Sequence, residues 1–394
     1  MHFIYFNIND ILKINFIIEV YEMIPYTGDY IEHIDNNTDN FKYYTFTPRP
    51  LMNGDMYKMD DELSALLIEA HRNIGFLEGL FKYAQNKEAF AELMLLKECT
   101  YSRMIDYDTP TFQDILISRG SGKSDISLIT NLELAYKKAM NKTISAPFLS
   151  ELCRIALYGD AVSKPVNIRN KQTFLLGVRT NLLSYNPTAP DAVLPSLADI
   201  SAYLYNDKDT DPLIKAALAH YQFEMIHPFE RYNGIVGRII VSMIFFNNVR
   251  ESKPIICLSE YLYHNKNEYF DLLQSTQYSG GYIRWIKFYV NAISETAKRS
   301  AQLLIRYEDI VAKDIKQLEN IQLLPKSVWL VYDYLRLFPV TSISCAAAQL
   351  GSSFNSIANA LHLLRENGII TQKNENRRNR IWEYTSLVNF LVQE

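Results

Sequence analysis

The sequence predicts a mainly α-helical protein: a helical core, one short β-hairpin, and a C-terminal module of two short helices followed by a second strand pair. Three observations predict it. From about Asp60 onward, apolar residues recur at three- and four-residue intervals in ELSALLIEAHRNIGFLEGLFKYA and again in NKEAFAELMLLKECTYSRMI, the repeat of one buried helix face. Pro and Gly clusters then punctuate further helical stretches near 112–118, 125–140, 147–158, 197–206, 212–226, 234–248, 267–275 and 281–317. Strand signal is confined to TFLLGVRTNLLSYN (173–186) and IITQKNENRRNRIWEY (369–384).

At 394 residues the chain is too long for one core of ordinary size. The pattern divides it into an N-terminal extension (1–59), an N-terminal helical region (60–145), a helical core (146–320) and a C-terminal module (325–394). An apolar fraction of 48% and a charged fraction of 21% fit a globular protein and exclude a disordered or fibrous one. The net charge of -4 argues against wholesale wrapping of nucleic acid, while leaving room for a local basic patch. Cys99, Cys153, Cys257 and Cys345 lack CxxC or Cys/His spacing, so neither a zinc site nor a disulfide framework is expected, and a reducing cytoplasm fits best. Asp10, Lys13 and Glu19 interrupt the apolar N-terminus, which is therefore not expected to span a membrane. It reads either as a packed extra helix or as an extension ahead of a start near Met23.

The segment 173–186 is short, aromatic and β-branched, and ends in the turn-forming Asn-Pro-Thr-Ala-Pro, so a hairpin or flap is expected there. After Pro325, SISCAAAQLG (342–351) reads as a short helix and SSFNSIANALHLLRENG (352–368) as a Ser-capped second helix stopped by Gly368. Two strands follow, which makes a winged helix-turn-helix pattern. Lys373, Arg377, Arg378 and Arg380 on its wing are positioned to contact DNA phosphates, although such modules also serve as docking or dimer surfaces.

The chemistry concentrates at 212–238. PLIKAALAHYQFEMI (212–226) is apolar nearly all round and reads as a buried central helix that delivers His227 at its end. Pro-Phe-Glu-Arg-Tyr then leads to Asn-Gly, which opens a second apolar helix. The free N–H groups of that helix N-terminus favour an anion, and Arg238 lies one turn in on the same element. An imidazole beside a phosphate cradle suits proton abstraction from a hydroxyl during phosphoryl or nucleotidyl transfer. Taken alone, a histidine before proline is more often a packed structural residue than a base.

HPFERYNGIVGR (227–238) resembles the signature of the Fic (Fic/Doc) family, His-Pro-Phe-x-Asp/Glu-Gly-Asn-Gly-Arg-x-x-Arg. The similarity extends through DPLIKAALAHYQFEMIHPF, the flap-like GVRTNLL and LSEYLYHNKNEYFDLLQ, from about residue 60 to 317. The resemblance implies a Fic helical core that transfers AMP from ATP to a Ser, Thr or Tyr hydroxyl of a target protein. His227 would be the base, Phe229 a buried anchor, Asn233 and Gly234 part of the anion hole, and Arg238 the ligand of the terminal phosphates. The target segment would dock on the flap at Gly177, Arg179 and Thr180. A homodimer and a cytoplasmic location complete the expectation.

Three positions depart from the signature. Arg231 stands where the family has the acidic ligand of Mg²⁺, which makes Mg²⁺ doubtful; the neighbouring Glu230 points elsewhere on the chain, a weak substitute. Arg231 could instead act as an added cation for the nucleotide. Tyr232 replaces a glycine, tolerable where only its backbone is used, and Ile235 replaces the first arginine. The family's inhibitory helix, Ser/Thr-x-x-x-Glu-Gly/Asn, is resembled by residues 98–116, with Ser102 and Asp106 at the matching positions and Tyr107 in place of Gly/Asn. Asp is one methylene shorter than Glu, so a weaker or displaced pairing with Arg238 is expected, or none if Asp106 is exposed. GSGKS (120–124) mimics a P-loop ending, but Ile117 stands where the motif needs glycine, and a surface loop is the better reading. Two functions follow: an AMP transferase with altered activity, or a catalytically impaired, nucleotide-sensing regulator that binds DNA through the winged helix.

Overall fold

The computed structural model describes residues 27–35, 41–53, 56–122, 125–176, 183–248, 255–279, 281–373 and 380–392. The chain is mainly helical, as expected. The first described element is an antiparallel hairpin of β1 (Gly28–Asp35) and β2 (Phe41–Pro48), inside the stretch read as an N-terminal extension. The signal was present in FKYYTFTP, where aromatic and β-branched residues suit a pleated surface.

Helices α1 (Asp61–Tyr83) and α2 (Lys87–Asp106) follow at the predicted places. Asp60 caps α1, its carboxylate accepting the Leu63 N–H at 2.8 Å. Next come α3 (Phe112–Ser121), opened by a Thr111/Asp114 capping box, α4 (Ser127–Ala139) and α5 (Ala146–Tyr158). Strands β3 (Leu175–Leu176) and β4 (Leu183–Tyr185) form the expected hairpin. Just after β4, the Asn186 carbonyl accepts the Phe46 N–H at 3.1 Å and the Asn186 amide donates to the Tyr44 carbonyl at 2.7 Å. The N-terminal hairpin is thereby fixed beside the flap base.

The centre of the core is α7 (Pro212–Ile226), reached through α6 (Val193–Asn206) and packed on α8 (Asn233–Asn248). Every residue of α7 from Ala216 to Ile226 is buried, as its all-round apolar pattern requires. Helices α9 (Leu258–His264) and α10 (Lys266–Ser279) lead to α11 (Ile283–Glu319), which runs alongside α1. Lys287 meets Asp60 at 2.7 Å, Ser294 Oγ meets Asn73 at 3.0 Å, and Glu308 accepts the Asn86 N–H at 3.1 Å, so the two helices run in the same direction.

The C-terminal module comprises α12 (Lys326–Leu337), β5 (Val340–Ser342), α13 (Ile343–Leu350), α14 (Phe354–Glu366), β6 (Thr371–Gln372), β7 (Ile381–Glu383) and α15 (Thr385–Val392), with strands ordered β5-β7-β6. Its core is continuous with the rest: one cluster of buried apolar side chains runs from Phe46 to Leu391. The module sits directly on α3. A Cβ on Gly120 would stand 1.6 Å from the Val340 carbonyl oxygen, so backbone meets backbone there. Gly120 closes α3 rather than forming a phosphate loop, and Gly122 caps the helix in the left-handed region at φ 66°. Among the described residues, no helix is long and apolar enough to cross a membrane.

Candidate active site

Helix α7 ends at His227, whose backbone turns left-handed at φ 51° while its N–H still donates to the Phe223 carbonyl at 2.9 Å. A non-glycine residue rarely adopts this conformation, and the following Pro228 disfavours helical geometry before it as well. Such backbone persists only where the surroundings over-determine it. Two devices do so here.

The first is Asn233. Its side-chain oxygen accepts the Phe229 N–H at 2.8 Å and its amide donates to the Phe229 carbonyl at 2.7 Å, closing residues 229–233 into a tight loop. Both ends of this amide are thus used on the chain itself. Asn233 thereby shapes the loop that leads into α8. Phe229 is fully buried, its ring centroid 6.4 Å from that of Phe223.

The second device is Arg169, which no motif or periodicity in the chain singles out. Its side chain is buried ahead of the flap and donates from Nε to the His227 carbonyl at 2.7 Å and from Nη2 to the Ile226 carbonyl at 3.1 Å. Its own N–H donates to the Pro228 carbonyl at 2.9 Å.

Helix α8 begins at Asn233 and carries Arg238, whose guanidinium is buried. Nε donates to Ser102 Oγ at 2.8 Å, and Nη2 donates to the Ser102 carbonyl at 2.7 Å and to Asp106 Oδ2 at 2.6 Å. Asp106 is therefore neither exposed nor displaced; the shorter side chain reaches because α2 ends directly over α8. A Cβ on Gly234 would lie 2.7 Å from Asp106 Oδ2 and 3.0 Å from Arg238 Nη1. The Asp106 carboxylate thus occupies the place where a helix N-terminus and a guanidinium would otherwise receive an external anion. Among the described residues, buried Arg238 Nη1 has no hydrogen-bond partner, and it faces that same place.

Two departures from the family signature meet in space. Tyr232 is also left-handed, at φ 66°, which explains the glycine of the resembling motif. Its ring packs edge-on against Tyr107 with centroids 5.2 Å apart, and its hydroxyl accepts from Arg103 Nη1 at 2.5 Å. Loop and helix end are thereby joined a second time. Ile235 is fully buried in the core, and Glu230 and Arg231 are exposed. The Arg231 carbonyl receives the Cys153 thiol at 3.5 Å.

Burial sets the protonation states. Desolvation, reinforced by the Arg169 charge, lowers His227 to about 3 against a hydrogen bond to the Glu224 carbonyl. The ring is neutral at physiological pH, and a neutral imidazole keeps a lone pair on one of its nitrogens. Desolvation and the Arg238 charge likewise lower His220 to about 3. Desolvation and then Asp106 raise Glu224 to about 8, against the pull of Arg238. Glu224 stands under α8, where a Cβ on Gly237 would lie 2.6 Å from its Oε1.

Residues 138–245, spanning α5 to α8 and all of the His227 loop, match the family model described as Fic/DOC family. The chain carries a Fic/DOC-family domain. A structure titled as a Fic family protein from Desulfovibrio desulfuricans G20 superposes with a TM-score of 0.55 at 16% identity, covering 83% of this chain and 97% of that one, a likeness of fold. In sequence, the chain is 39% identical over 67 residues to protein adenylyltransferase fic-1 of Caenorhabditis briggsae, covering 16% of this chain and 13% of that protein. It is 32% identical over 84 residues to a protein of Aquifex aeolicus named a probable protein adenylyltransferase, covering 21% of this chain and 25% of that one. The chain thus spans only a small part of each named relative.

The Fic domain alone does not hold the whole constellation. Ser102 and Asp106 reach it from α2, before the matched span. Gly177, Arg179 and Thr180 of the flap, and Arg377 and Arg378 of the wing, lie outside the described residues. Of the other two basic residues, exposed Lys373 pairs with buried Glu383 at 3.0 Å, and Arg380 lies 3.4 Å from the His362 ring.

Proposed function

We propose that the chain is a protein adenylyltransferase, moving AMP from ATP to a Ser, Thr or Tyr hydroxyl of a target protein, and that Asp106 holds its site in a self-occupied state. The observation that carries this reading is the buried Arg238, with Nη1 facing the α8 N-terminus and Nη2 held by an internal carboxylate. A guanidinium and a helix N-terminus converging on one point suit a phosphate.

In the step, the target hydroxyl gives its proton to the neutral His227 ring as its oxygen attacks the α-phosphorus. The bond from the α-phosphorus to the bridging oxygen breaks, and diphosphate leaves with the negative charge facing Arg238 and the α8 N–H groups. Sequestering the base in a buried loop keeps it neutral and aimed, which is most of what a proton acceptor needs.

A resident divalent cation does not fit the groups present. The motif position is an exposed arginine, Glu230 is exposed beside it, and the carboxylate nearest the α8 N-terminus is engaged with Arg238. Among the described residues, no three His, Cys, Asp or Glu side chains converge. The step is accordingly written through side chains and backbone alone.

The test is incubation of the full chain with α-labelled ATP, with and without added Mg²⁺ or Mn²⁺. Label should appear on the chain itself or on proteins of a lysate, and His227→Ala should abolish it. Equal labelling by His227→Ala would overturn the assignment of the base, and no label from either the parent or an Asp106→Ala variant would overturn the transferase reading.

A further inference from the structure

We infer that Arg169 is the positioning residue of this site: its guanidinium clamps the carbonyls on either side of the His227 Cα and so fixes the left-handed turn that aims the imidazole. The inference rests on the transferase reading for its catalytic consequence, but the clamp itself is geometric.

Arg169 reaches the loop from the segment ahead of β3, more than fifty residues before it in the chain. Its planar fork grips consecutive carbonyls, with Nε on His227 at 2.7 Å and Nη2 on Ile226 at 3.1 Å. Nη2 also donates to the Thr188 carbonyl, and Nη1 to the Lys171 carbonyl at 3.1 Å. The backbone N–H of the same residue holds Pro228 at 2.9 Å, so one residue grips three successive carbonyls from 226 to 228. A helix C-terminus leaves such carbonyls orphaned, and at this one the next residue is a proline that ends the helix. Five donors in a rigid fork can take several carbonyls at fixed angles, which a lysine ammonium cannot reproduce.

The clamp also places a permanent charge beside the base. Among the described residues, the groups acting on the His227 ring are burial, the Arg169 charge from this neighbouring segment and the Glu224 carbonyl from its own helix. The charged side chains of the loop, Glu230 and Arg231, are exposed. The Arg169 cation disfavours an imidazolium next to it, which keeps the ring neutral before the step at some cost in basicity. The same residue therefore orients the base and protects its protonation state.

Arg169→Met and Arg169→Lys in the full chain test this with four readouts: thermal unfolding, ATP affinity, the pH profile of single-turnover transfer, and titration of the His227 ring by NMR of ¹⁵N-histidine-labelled protein. In Arg169→Met, ATP affinity should stay within about twofold, since Arg238 and the α8 N-terminus are untouched. The transfer rate should fall by about 100-fold or more, the usual loss when a reacting group is misplaced by about 1 Å. The ring should titrate at higher pH than in the parent. Arg169→Lys, which keeps the charge but not the fork, should leave the ring titration near the parent value and restore the rate only in part. An unchanged ring titration and pH profile in both variants, with only the melting temperature lowered, would reduce Arg169 to a stabilising residue and overturn the inference. If Arg169→Met does not fold, the Arg169→Lys rate and ring titration decide alone, full parental rate being the overturning result. Should no variant or parent transfer AMP, the NMR titration still tests the contact, a ring that titrates in Arg169→Met as in the parent overturning it, so failure of the transferase reading and failure of this one are separable.

Discussion

Removing the Asp106 carboxylate should move stability and ligand affinity in opposite directions. Asp106→Ala takes away the charge-assisted bond at 2.6 Å to Arg238 and leaves the guanidinium held by two Ser102 contacts at 2.8 and 2.7 Å. Both partners are almost wholly buried. Losing one member of a buried pair costs about 3–5 kcal/mol. The two remaining Ser102 bonds put the expected loss toward the lower end, and the melting temperature of the unliganded protein should fall. An incoming phosphate, by contrast, no longer has to displace a carboxylate. A hydrogen bond to a charged group nets about 1.5–3 kcal/mol, which corresponds to about 10- to 150-fold tighter ATP binding. The Tyr107–Tyr232 contact and the Arg103 bond to Tyr232 remain, so the end of α2 should keep its place and the change should stay local. Calorimetric titration with ATP, paired with thermal melts at zero and saturating ATP, measures both quantities on one sample. A folded Asp106→Ala protein whose ATP affinity stays within about twofold of the parent would refute the claim that Asp106 and a phosphate compete for one place.

Two further predictions concern the fold around the site. Glu224 is raised to about 8 from an ordinary 4.5, so it is neutral in the folded protein where it would be ionised in the unfolded chain. Its contribution is fully present below about pH 4.5 and is lost as pH rises toward 8, and Glu224→Gln should flatten the fall of melting temperature across that window; an unchanged slope would count against a buried neutral carboxyl. Gly120→Ala should force α3 away from β5, because its Cβ would stand 1.6 Å from the Val340 carbonyl oxygen. Overpacking of this kind costs about 1–3 kcal/mol, so a melting temperature equal to the parent's would contradict the backbone contact.

The sequence by itself determined the helical class, the buried α7 and the position of His227, because these are written in local periodicity and a contiguous loop. A helix apolar on every side can only be central, whatever packs around it. The hairpin at 173–186 and the stop at Gly368 were legible for the same reason, since turn and cap residues act on their immediate neighbours. The N-terminal hairpin rests on the aromatic and β-branched residues of FKYYTFTP, a weaker local signal than the helical periodicity that follows it.

What only the tertiary structure decided was who meets whom. The chain pointed to Asp106 and Arg238 as partners only through a resemblance, and nothing in it says that the pair closes at 2.6 Å, that Tyr107 and Tyr232 compensate one another, or that Arg169 holds the carbonyls beside His227. Nor does a run of basic residues say that Lys373 will spend its charge on Glu383. Local pattern fixes which face of an element is buried, but a long-range ion pair depends on how those faces pack. At this site that packing buries the His227 ring in its neutral form and sets the Asp106 carboxylate against Arg238 at the start of α8.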